Sequence, residues 1–196
     1  MTVSEVPEVE PTDFVVAPLS VYSTVKARNL AQLYEDNLAS MVARVEAHPV
    51  ARTLKIQNNI ETAGGIGFFT HSASQPPDQR YLELAVKTPD SQGSQDVSIK
   101  AKQLFERYGS ELLSILAADS AIRNDDRVAG YALNFGWVDS STVLKTGPEK
   151  VVFYFSKEKT LAFVDGNINA TQLLADPAIF HVNAQGTARE LDPRAP

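Results

Sequence analysis

Val25-Lys-Ala-Arg-Asn-Leu-Ala-Gln-Leu-Tyr34 and Ile99-Lys-Ala-Lys-Gln-Leu-Phe-Glu-Arg-Tyr108 are alike position by position. Set one above the other, Lys26, Ala27, Leu30 and Tyr34 match Lys100, Ala101, Leu104 and Tyr108. Continued without a gap, Leu38, Ser40 and Ala43 match Leu112, Ser114 and Ala117. Two amphipathic helices share leucine spacing by necessity. Lys-Ala at the same phase is not demanded by that spacing, so the match reads as an internal duplication.

Each stretch opens a helix. Leu30, Leu33, Tyr34, Leu38, Met41, Val42 and Val45 recur at intervals of three and four, which predicts one helix over residues 24–47. Ser23 or Thr24 supplies its N-cap, and Pro49 ends it. Ile99, Leu104, Phe105, Tyr108, Leu112, Ile115 and Leu116 predict a second helix over 96–118, capped by Asp96. Gly109 inside it implies close packing or a bend.

Outward from each helix the period changes. Thr53–Ile56, Ile66–Thr70 and Tyr81–Val86 are short, aliphatic or aromatic, and separated by Gly and Pro. They read as antiparallel strands. Val128–Val138, Val151–Phe155 and Thr160–Val164 read the same way, with the polar Ser156–Lys159 as a hairpin turn. Asn169–Asp176 reads as a short helix stopped by Pro177. The expected fold is α+β: duplicated helix–strand–strand units, with a mainly antiparallel sheet packed against two long helices. Residues 1–18 form a flexible acidic tail with prolines, 19–186 a single domain, and 187–196 a second tail. The repeats span about 19–90 and 94–166, and the rest of the domain is a C-terminal extension. One unit cannot bury its own sheet face, whereas two can share an interior and leave a groove at their junction.

Composition narrows the function. With 196 residues and 43% apolar side chains, the chain can build a core without staples. The net charge of −6 argues against a nucleic-acid partner, whose phosphates call for surplus Lys and Arg. The lack of cysteine removes disulfides, thiolate metal sites and cysteine nucleophiles. No apolar run reaches the length of a transmembrane helix. The acidic N-terminus has no signal-peptide pattern and fits a cytoplasmic protein with a loose tail. It equally fits a periplasmic or other extracytoplasmic chain whose export or lipoprotein signal has been removed.

No catalytic motif, metal-ligand spacing or cofactor loop is visible, so no catalytic residue, metal or cofactor is assigned. Ala63–Gly67 is glycine-rich, but strand sequence follows it where a dinucleotide loop needs a helix. Candidate binding residues are Tyr34 and Tyr108, whose hydroxyls would line a symmetric groove, and His71 at a strand end. Trp137 on an aromatic strand, and Arg123 and Arg127 in a charged loop able to clamp a carboxylate, complete the set. His181 has no local partner in sequence. Phe153 and Phe155 fall in one strand register and Tyr154 in the other, which implies that both sheet faces are covered. The reading that follows is a non-catalytic binding or assembly module of bacterial, envelope-associated type. Its partner would be another protein, an apolar small molecule or a second copy of the chain. The alternative is an enzyme with dispersed residues.

Overall fold

A computed structural model describes residues 16–56, 65–69, 80–88, 96–137 and 149–192, and shows an α+β fold. Among the described residues a seven-stranded sheet carries its helices on one face.

Thr24 caps α1 (Val25–Leu33), its hydroxyl accepting from the Ala27 amide. Tyr34, at φ −108° and ψ 20°, then interrupts the expected long helix, and α2 (Glu35–Ala47) continues to Pro49. β1 (Lys55–Ile56), β2 (Gly65–Phe69) and β3 (Tyr81–Lys87) follow. Asp96 caps α3 (Val97–Leu104) through the Ser98 amide. A π-helical turn, Phe105–Gly109, joins α3 to α4 (Ser110–Ala117). Here Gly109 has a definite reason: a Cβ there would lie 2.4 Å from the Phe105 ring. The short α5 (Ser120–Arg123) leads to β4 (Gly130–Trp137) and β5 (Glu149–Ser156). The chain ends with α6 (Lys157–Val164), α7 (Ala170–Leu173), β6 (Ala178–Val182) and β7 (Ala188–Leu191).

The sheet order is β1-β3-β4-β5-β6-β7, with β2 also paired to β3. Ile56 pairs with Val86 and Gly65 with Ala85, so β1 and β2 occupy one edge position in successive register. β3 and β4 run parallel, joined by the α3–α5 crossover, and every other pair is antiparallel. The helix face carries Phe68, Leu82, Leu84, Leu133, Phe135, Phe153 and Phe155, which pack with Leu30, Leu38, Met41, Phe105, Leu112 and Leu116 in one core. The back face holds a smaller cluster of Ala132, Val152, Tyr154 and Phe180. Tyr154 thus lies opposite Phe153 and Phe155, as their spacing predicts.

Several expectations are corrected. Thr160–Val164 is helix, not strand, because Ser156 is an N-cap and not part of a hairpin turn: its hydroxyl accepts from the Lys159 amide. The 187–196 tail contains β7, an edge strand laid antiparallel on β6. At the other end of the chain, Val16 bridges to Ile66, so the expected 1–18 tail stops short of the sheet edge. The two long helices are each broken at the aligned tyrosine, by a kink at Tyr34 and by the π turn at Tyr108.

The duplication does not extend to the strands. Viewed from the helix face with the first strand of each hairpin pointing up, β3 lies on one side of β2 and β5 on the opposite side of β4. This follows from the order β2-β3-β4-β5 with β3 parallel to β4 and all helices on one face. No rotation superposes two hairpins of opposite hand on the same helix face. Most matched helix positions (Ala27 and Ala101, Leu30 and Leu104, Tyr34 and Tyr108, Leu38 and Leu112) are buried, so shared packing demand accounts for them.

Candidate functional site

Between α3 and α7, toward the β6–β7 edge, lies a groove of about 710 Å³ whose sheet-side residues are themselves buried. Phe153, Ile179 and Leu191 line it from the sheet. Ser98, Ile99, Lys102 and Glu106 line it from α3 and the π turn, and Ala170, Thr171 and Leu174 from α7. Both walls are set by caps. Asp96 fixes the start of α3, and Asn169 and Gln172 exchange hydrogen bonds in a capping box that fixes α7. Ile99 is one of the large apolar side chains left exposed, at 41%.

A polar group that does not line the groove gathers on the same sheet face. His181 lies two residues beyond Ile179 and therefore on the same face of β6. Its Nε2 is 3.4 Å from Glu149 Oε2, and its ring lies parallel to Trp137 at a centroid distance of 6.2 Å. The Lys100 ammonium sits 4.0 Å from the Trp137 ring centroid, a cation–π contact. Sequence neighbours offer His181 no partner. Strand pairing provides one, because Glu149 opposes Trp137 and His181 opposes Val151.

The candidate residues named from sequence do not converge. Tyr34 donates to Asp125 Oδ2 at 2.6 Å, and Arg127 holds the same carboxylate through Nε and Nη2. The Arg127 guanidinium, with help from the Tyr34 hydroxyl, holds the Asp125 carboxyl far below the usual carboxylate range. Lys157 Nζ donates to the Asp125 carbonyl at 2.7 Å. Asp125 is thus the hub that ties α2, the loop before β4 and α6 together. Arg123 pairs with Asp165. Tyr108 is buried against Phe135, with its hydroxyl unpartnered. Tyr34 and Tyr108 do not line the groove, so the symmetric pair expected of them is absent. His71 lies outside the described residues. Of the five that are described, none lines the groove, and Trp137 is buried against His181.

Among the described residues no group of three or more His, Asp or Glu side chains is placed to hold a metal ion, and no helix is long and apolar enough to cross a membrane. Comparison with family models, with curated proteins and with solved structures finds no match to this chain.

Proposed function

We propose that the chain is a non-catalytic binding module, and that the groove beside α3 takes a small, mainly apolar molecule with a polar end. The observation that carries this reading is the groove between α3 and α7, with Ile99 exposed on its wall and Phe153, Ile179 and Leu191 at its floor. Its volume, about 710 Å³, lies within the roughly 300–1,000 Å³ of small-molecule sites, which pair an apolar lining with a few polar groups. Lys102, Glu106 and Asp192 supply such groups here. The lining carries both charge signs, so a polar end of either sign finds a partner there.

The test is titration with anilinonaphthalene sulfonate, an apolar probe whose fluorescence rises in dry pockets. Ala175→Phe should fill the groove mouth and Ile99→Glu should place a charge on its wall. Each should weaken probe binding at least tenfold without shifting the unfolding midpoint by more than a few degrees. Tyr34→Phe, away from the groove, should leave affinity unchanged. Unaltered affinity in both groove variants would refute the assignment. The His181–Glu149 pair favours a second reading, an enzyme with dispersed residues. That reading gains ground if a compound is recovered chemically altered after incubation with the protein but intact with His181→Ala.

A further inference from the structure

Two polar side chains occupy the middle of the back face. Glu83 on β3 is 7% exposed and Asn134 on β4 is 6% exposed. Strand register sets Gly67 and Ala132 beside Glu83, and Ala85 and Val152 beside Asn134. None of these four carries a side-chain polar atom. Asn134 Nδ2 donates to Glu83 Oε1 at 2.9 Å, while Asn134 Oδ1 has no hydrogen-bond partner. Each group is therefore incomplete in a way the other can remedy. A buried carboxylate has given up the hydration of its charge, and a buried amide oxygen lacks a donor.

We propose that Glu83 keeps its proton in the folded protein and donates it to Asn134 Oδ1, closing a two-hydrogen-bond acid–amide ring that makes the sheet centre sensitive to pH. In this ring Nδ2–H donates to Oε1 and Oε2–H donates to Oδ1, so the unpaired oxygen and the buried charge disappear together. Burial raises the Glu83 carboxyl above its ordinary 4.5 and outweighs the Asn134 bond and the field of Lys150, both of which favour the charged form. Among the described side chains, the other titratable groups on this face are Lys87 and Tyr81 on β3, Tyr154 on β5 and Glu190 on β7. On the β2 side Tyr22 places its hydroxyl where a Gly67 Cβ would be, and burial pushes that phenol up to about 12, so it stays neutral.

The sign of the pH dependence follows. The unfolded chain releases the Glu83 proton near its ordinary value, whereas the folded chain keeps it. Between the two values the native state holds one more proton, so stability falls as pH rises, by about tenfold in the unfolding constant per pH unit. The contribution is complete below the unfolded value and gone above the folded one.

Glu83→Gln keeps the shape and donates from its amide to Oδ1 without titrating. The variant should match the parent in acid and gain on it progressively as pH rises, in urea unfolding series. In the parent, the carbon-13 resonance of the Glu83 carboxyl should report the protonated acid at neutral pH, and should still do so in Lys150→Met. An ionised resonance at neutral pH overturns the proposal, and so does a Glu83→Gln variant that loses stability relative to the parent as pH rises. If Glu83→Gln fails to fold, the resonance in the parent decides alone.

Discussion

Asp125 shows what one side chain does here. Its carboxylate receives Tyr34 from one side and Arg127 from the other, and its lowered proton affinity follows. A carboxyl lowered on folding stabilises the native state above its unfolded value near 3.8, and that stability is lost as pH falls through the lower folded value. Urea unfolding of the parent should therefore weaken across the acid range below about pH 4. In Arg127→Ala the acid dependence should be shallower. An equally steep loss in both proteins would remove Asp125 from the account. Tyr34→Phe removes one hydrogen bond to a charged acceptor and should cost about 1.5–3 kcal/mol by the same assay. It should leave probe binding in the groove alone, because Tyr34 holds the loop before β4 and does not line the groove.

At the level of elements, caps and glycines set where each segment starts and how close it comes to its neighbours. Ser156 decides whether the chain after β5 turns back as a strand or winds into α6. Ser156→Ala should cost about 1 kcal/mol, read as a lower thermal midpoint. Gly130 lies where β4 meets β5, and a Cβ there would come within 2.2 Å of the Phe155 carbonyl oxygen and 2.5 Å of the Tyr81 ring. A backbone carbonyl in a central strand cannot step aside, so Gly130→Ala should cost about 3 kcal/mol or more. Gly109→Ala meets only the Phe105 side chain and should cost less. If the order of the two glycine variants is reversed in denaturant titrations, the close approach at β4 is not the stronger constraint.

For the whole molecule, the α+β class was legible because the change from a helical to an alternating period needs only local sequence. The Asp96 cap and the inward register of Phe153 and Phe155 were legible for the same reason, whereas the helix expected to run to Pro177 already ends at Leu173. The strand arrangement was not. Whether β5 lies to one side of β4 or the other depends on the α3–α5 crossover, and no residue pattern within either hairpin encodes it. The apparent repeat misled for a physical reason: two helices covering one sheet face both need small and leucine side chains at the same phase. The groove lay beyond reach because it is space left by α3 and α7 over Phe153, Ile179 and Leu191, which lie far downstream of Ile99. His181 and Trp137, 44 positions apart, meet only through the pairing of β4, β5 and β6. Composition could signal the apolar lining, but not its location.

Chemical-shift mapping of nitrogen-15-labelled protein during titration with anilinonaphthalene sulfonate tests the binding assignment most directly. The account predicts saturable shifts concentrated at Ser98–Glu106, Ala170–Ala175, Ile179 and Leu191, all absent in Ala175→Phe. Shifts centred on the exposed face of α1 or on the back of the sheet, and retained in that variant, would contradict it.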